Sequence, residues 1–137
     1  MNAAQLGTLA PDLSAADRHR RWWDADSGCT IVVAEPSAEP ELWARYVRGA
    51  EDSYRKHGVE IALDKTALRL GDDSALFCVG INESGKVVGG LRGKGPYSQV
   101  DECHAVTEWS GQPGLSAVRK MVGDRLPFGG GEVKSAW

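Results

Sequence analysis

The sequence predicts an α/β domain built on a mostly antiparallel central sheet with helices flanking it. Three observations carry this. Short apolar or β-branched runs bounded by turn residues recur at 29–34, 75–81 and 86–92, and another opens at Glu132. Between the first two, Leu42, Tyr46, Ala50 and Tyr54 recur every four residues, the period of one helix face. Asn82-Glu83-Ser84-Gly85 supplies turn chemistry between the middle pair of runs, which reads as a hairpin.

Residues 1–28 read as a leader ahead of a domain at 29–137. Ser14-Ala15-Ala16-Asp17 begins like a helix cap, with Asp17 in the capping-box position. Arg18-His19-Arg20-Arg21-Trp22-Trp23 then sets basic beside aromatic residues, a pairing that can stack on bases or lie on an anionic membrane. Asp17, Asp24 and Asp26 offset that charge, so the favoured reading is a leader helix whose tryptophans dock on the domain. Cys29 to Ala34 opens the domain as a strand and Glu35-Pro36 ends it. The helix that follows has Pro40 in its first turn, Trp43 and Val47 widening its apolar stripe, and Gly58 just past its end. A short helix is expected near Lys65 to Leu70. Ala75 to Ile81 is so continuously apolar that it reads as a central strand buried on both faces. Lys86 to Arg92 returns beside it. After a mixed stretch, Pro113 opens a helix through Arg125 with Leu115, Val118, Val122 and Leu126 in period, and Pro127 closes it. Three glycines then lead into a strand at Glu132.

Composition narrows the function. The 137 residues are 42% hydrophobic and 26% charged, globular proportions with room for one domain. Sixteen Lys plus Arg against nineteen Asp plus Glu, a net charge of −3, argue against a general nucleic-acid binder. No apolar run reaches the roughly 18 residues that span a bilayer, and no signal-peptide core is present. Cys29, Cys78 and Cys103 are odd in number and far apart, which fits neither a disulfide framework nor a zinc site. The expectation is a soluble, reduced, cytoplasmic domain without metal.

Several motifs need weighing. Gly80 to Lys86 nearly matches a phosphate-binding loop, but Val87 stands where a Ser or Thr would hold magnesium, and strand rather than helix follows. Asp101-Glu102-Cys103-His104 stacks four candidate ligands whose neighbours point in opposite directions, so they cannot converge on one ion. No nucleophile elbow is present. More informative is Gly89-Gly90-Leu91-Arg92-Gly93-Lys94-Gly95-Pro96-Tyr97, where glycines let backbone approach a ligand and Arg92 and Lys94 supply charge for a carboxylate or phosphate. Glu108 and Glu132 stand beside aromatic or apolar neighbours, and a buried glutamate is a usable general base near neutral pH.

The order strand, amphipathic helix, antiparallel strand pair, helix, strand resembles the opening of the GNAT N-acyltransferase fold. More narrowly, the stretch from Leu42 to Trp137 is similar to the acyl-homoserine-lactone (autoinducer) synthases and the N-acyl amino acid synthases. Val88-Gly89-Gly90-Leu91-Arg92 with Gly95-Pro96-Tyr97 resembles that family's Gly-x-x-Arg-Leu strand end and downstream Pro-Tyr. Glu132-Val133-Lys134-Ser135 resembles its fourth-strand Glu-x-Ser-Arg. The resemblance implies transfer of an acyl group from an acyl-CoA or acyl-carrier-protein thioester to a small amine such as an amino acid. It implies Glu132 as the base and Arg92 at the acceptor or cofactor. Glu108 is the second-choice base on its own surroundings, and Gly93, Gly95 and Tyr97 stand with Arg92 as candidate substrate-binding residues. The family's pyrophosphate loop lies beyond the fourth strand, where this chain stops. The expectation is therefore the N-terminal portion of a longer enzyme that self-associates through an exposed sheet edge, or else a non-catalytic acyl- or partner-binding module.

Overall fold

The computed structural model describes residues 18–137. The elements are strands β1 (Arg20–Asp24) and β2 (Cys29–Ala34), helices α1 (Pro40–Lys56) and α2 (Lys65–Leu70), strands β3 (Leu76–Asn82) and β4 (Val87–Lys94), helices α3 (His104–Glu108) and α4 (Leu115–Arg125), and strand β5 (Glu132–Lys134). They form a mixed α/β fold with a five-stranded central sheet in the order β1-β2-β3-β4-β5. β1, β2, β3 and β4 pair antiparallel in succession. Gly90 and Trp137 exchange both backbone hydrogen bonds, at 3.2 and 3.0 Å, the mark of an antiparallel pair at the other edge. Residues 18–93 with Val133–Trp137 make one compact unit, and Lys94–Glu132 another.

The predicted hairpin is present. Ile81 pairs with Val87 and Phe77 with Arg92, with a bulge where Val88 is the extra residue. Asn82 closes the turn with its side chain, whose Oδ1 accepts from the Lys86 N–H at 2.9 Å, so the phosphate-loop lookalike is turn backbone. Helix α1 begins at Pro40 and gives way at His57, and Gly58 takes the left-handed conformation (φ 71°) just past its end. Asp64 caps α2 by accepting from the Ala67 N–H at 3.1 Å.

The core lies between α1 and one face of the sheet. Leu42, Trp43, Tyr46, Val47 and Ala50 pack with Val32, Ala34, Phe77, Val79 and Val87, and Leu63 and Leu68 close one side. Trp43 meets Phe77 edge-on with ring centroids 5.1 Å apart, an arrangement favoured by the ring quadrupoles.

Two expectations are corrected. Over Arg20–Asp24, where a docked leader helix is expected, the chain is a strand paired to β2, and Trp22 and Trp23 are 43% and 52% exposed. The expected cap at Ser14 to Asp17 lies outside the described residues. β3 is not buried on both faces either. Phe77 and Val79 are buried, whereas Leu76, Cys78 and Gly80, which point away from α1, are half-buried. Apolar side chains permit a cover on both faces but do not demand one. Among the described residues, no helix is long and apolar enough to cross a membrane.

Candidate functional site

The candidate polar residues fall into two clusters, one in each compact unit. In the larger, Arg92 sits near the end of β4 with 4% of its surface exposed. Its Nη1 donates to Asp73 Oδ1 at 2.8 Å and to Ser74 Oγ at 3.0 Å, and its Nε donates to Ser135 Oγ at 3.2 Å. The hairpin register explains the first two partners. Leu76 opposes Gly93, so the residues just before β3 lie beside the end of β4. Ser135 has a left-handed backbone, φ 51°, uncommon for a residue with a side chain. It is held from two sides, since its carbonyl accepts from Tyr46 Oη at 2.8 Å while its hydroxyl meets Arg92. Burial pushes the Tyr46 phenol well above its ordinary range, so it remains a protonated donor.

The glycines around Arg92 serve packing within the protein. A Cβ on Gly90 would lie 2.8 Å from the Tyr46 ring, so the bare backbone admits that side chain. Gly93 is a ladder residue whose carbonyl accepts from the Ala75 N–H at 2.8 Å.

The smaller unit has its own apolar cluster, in which Tyr97, Cys103 and Val106 are buried against Val118 and Val122 of α4. Here Glu132 is the polar centre. Its Oε1 accepts from Tyr97 Oη at 2.7 Å and from the His104 N–H at 2.7 Å, and its Oε2 accepts from the Ala105 N–H at 3.1 Å. The two backbone donors open α3, so a carboxylate far along the chain satisfies N–H groups that the short helix cannot. Gly95 sits against the backbone of Gly130 and Gly131 in the same unit, where a Cβ would come within 2.9 Å of the Gly130 carbonyl oxygen. Tyr97 is tied to that backbone as well, its N–H donating to the Gly130 carbonyl at 2.8 Å. Removing the hydroxyl with Tyr97→Phe is expected to cost about 1.5–3 kcal/mol, the range for a hydrogen bond to a carboxylate, as read from chemical denaturation.

The structure thus joins Glu132 to Tyr97 and leaves Glu108 at the surface, its carboxylate 61% exposed and 3.5 Å from His104 Nδ1. The acidic stretch at 101–104 is spent locally. Asp101 pairs with Arg119, which holds its carboxyl below the usual range. Glu102 accepts from the Ser98 and Gln99 N–H groups, and those bonds lower its carboxyl likewise. Among the described residues, no group of three His, Cys, Asp or Glu could hold a metal ion. Sequence reasoning missed Asp73, Ser74 and Ser135 as partners of Arg92. The signal for the first two was the hairpin itself, which returns the start of β3 to the end of β4.

No protein-family profile matches the chain, and no solved structure matches it. It is 48% identical over all 137 residues to the uncharacterized protein Rv1356c of Mycobacterium tuberculosis (strain ATCC 25618 / H37Rv). The identity is the same to the uncharacterized protein Mb1391c of Mycobacterium bovis (strain ATCC BAA-935 / AF2122/97). The chain covers 52% of each, so it spans about half the length of the relatives it matches.

Proposed function

We propose that this chain carries part of an N-acyltransferase that moves an acyl group from a thioester donor to a small amine, with Glu132 as the proton acceptor. The observation that supports this is the Glu132 carboxylate, oriented at the head of β5 by a tyrosine hydroxyl and two backbone N–H groups. A carboxylate held in one geometry meets the first requirement of a general base, which is position. The amine nitrogen attacks the thioester carbonyl carbon, the C–S bond breaks, and the sulfur leaves as a thiolate that takes up the proton which Glu132 has received from the amine. Arg92 fits poorly as a hook for the phosphates of a CoA donor, because its Nε and Nη1 already serve Asp73, Ser74 and Ser135. In this reading it is a positioning residue.

The test is amine-dependent release of free thiol from acyl-CoA thioesters, with amino acids as acceptors. Turnover is expected to rise with pH through one ionisation. Glu132→Gln should lower it by roughly 10²–10⁴-fold and abolish that limb. Tyr97→Phe, which disturbs the same cluster but keeps the carboxylate, should retain the limb. Wild-type turnover and the same pH limb in Glu132→Gln would remove Glu132 from the role and turn attention to Glu108.

A second reading, a non-catalytic binding module, is favoured by one observation: both Arg92 and Glu132 are engaged by protein groups. Calorimetric binding of acyl-CoA without any amine-dependent thiol release would select it.

A further inference from the structure

β1 is an edge strand. Its neighbour in the sheet is β2, and among the described residues nothing pairs with its outer side. Such an edge offers unpaired N–H and C=O groups to any strand that fits, and proteins blunt it with short length, prolines, bulges or charges. Of these, β1 has short length and the charges of Arg20, Arg21 and Asp24, of both signs. β1 has neither proline nor bulge. Its five residues, Arg-Arg-Trp-Trp-Asp, pair with β2 without a register shift.

The alternation of side chains is fixed by that register. Arg20, Trp22 and Asp24 oppose Val33, Ile31 and Cys29 on one face, and Arg21 and Trp23 oppose Val32 and Thr30 on the other. Read backwards, these five residues complement themselves. Laid antiparallel on a second copy about Trp22, Arg20 meets Asp24 of that copy, Arg21 meets its Trp23, and Trp22 meets Trp22. Opposite charges, cations against indole rings and aromatic pairs all stabilise directly opposed positions. A two-fold contact of this kind uses the same patch on both chains and closes on itself.

The side chains are ready for it. Trp22 and Trp23 are both exposed, and the Arg20 guanidinium already lies 5.5 Å over the Trp22 ring. Hydrogen bonds from the Ser27 side chain and backbone hold the Asp24 carboxyl below its usual range, so it is an anion at neutral pH.

We propose that two copies of this chain associate edge to edge through β1, antiparallel about Trp22, and join their sheets into one.

Sedimentation velocity on the full chain from roughly 1 to 200 µM tests this, a range in which a contact of modest strength reveals itself. Wild type is expected to pass from monomer to dimer. Arg20→Asp sets an acid against Asp24 at both ends of the contact, and Asp24→Lys sets a base against Arg20. Each should raise the dimer Kd about tenfold or more. An equimolar mixture of the two variants should associate again, because every acidic end then faces a basic one. Neither a folding defect nor a contact elsewhere reproduces that rescue. A further variant is independent of the turn at Asp24. Trp22→Cys puts two sulfurs across the axis and should give a disulfide-linked dimer on oxidation, whereas Trp23→Cys, which faces Arg21, should give far less. A wild type that stays monomeric throughout overturns the proposal. So does a dimer that both charge variants leave intact, a mixture no tighter than its components, or a dimer in which Trp22→Cys does not cross-link.

Discussion

Replacing Arg92 by Met will lower the unfolding free energy by about 2–4 kcal/mol, just under the usual cost of breaking a fully buried ion pair. The discount follows from Asp73, whose side chain is 29% exposed while that of Arg92 is 5% exposed. The loss has three parts. The guanidinium leaves Asp73, the Ser74 hydroxyl loses its donor, and Ser135 keeps only the Tyr46 bond to hold its left-handed backbone. Lysine can replace one of these contacts but not a fork that serves three acceptors, so Arg92→Lys should recover less than half of the cost. Thermal unfolding of the Met variant should fall by roughly 10 °C for a chain of this size. Because Arg92 and Asp73 share one interaction, the double variant Arg92→Met with Asp73→Asn should cost clearly less than the sum of the single changes. Full additivity would mean that the pair is not coupled. An Arg92 that served mainly to hold a ligand would behave differently, leaving the melting point in place and raising KM alone.

A single methyl group at position 49 will destabilise the protein, against the usual direction for glycine in a helix. Gly49 lies in α1, where Ala would ordinarily gain up to about 1 kcal/mol. Here a Cβ would sit 2.0 Å from Cζ2 of the Trp137 indole, far inside contact distance. The indole is stacked on Tyr46, with ring centroids 6.5 Å apart and planes 24° from parallel. Gly49→Ala therefore has to displace Trp137 from its seat, for a net cost of about 1–3 kcal/mol. The sign should reverse when the obstacle is removed. In a Trp137→Ala background, Gly49→Ala should become neutral or stabilising, and denaturant titrations of the four proteins complete the cycle. Trp137 Nε1 is buried with no hydrogen-bond partner among the described residues, so its truncation will cost somewhat less than the loss of packing alone implies.

What could be read from the sequence is what local chemistry decides. The four-residue period of Leu42, Tyr46, Ala50 and Tyr54, and the Asn82 to Gly85 turn between two apolar runs, each specify their structure without reference to the rest of the chain. β1 was illegible for the opposite reason. Arg-Arg-Trp-Trp-Asp has no alternation of polar and apolar residues, and its extended form comes from pairing with β2. The site divides in the same way. Arg92, Tyr97 and Glu132 could be picked out by residue type and by resemblance. The bond between Tyr97 and Glu132 crosses 35 residues of chain and depends on the path of Lys94–Glu132, which no local pattern encodes. Nor does a glycine announce its occupant. Gly90 reads as room for a ligand, and the room is taken by Tyr46.

The sheet also carries a consequence for how the chain finds its structure. Its strands stand side by side in the order in which they are synthesised, β1 to β5. β1 with β2, and β3 with β4, can zip from short turns, which keeps the entropy of loop closure small. The pairing of β2 with β3, where Ala34 meets Phe77 across 43 residues, already closes a long loop, and the last edge closes loops as long or longer. Contacts such as Arg92 to Ser135, 43 residues apart, and Tyr46 to Ser135, 89 apart, require long stretches of chain to be closed first. Tyr46 to Ser135, the longer of the two, thus carries the larger closure entropy. Arg92, Tyr46 and the bare backbone of Gly49 work as a latch on the end of an otherwise sequentially assembled sheet.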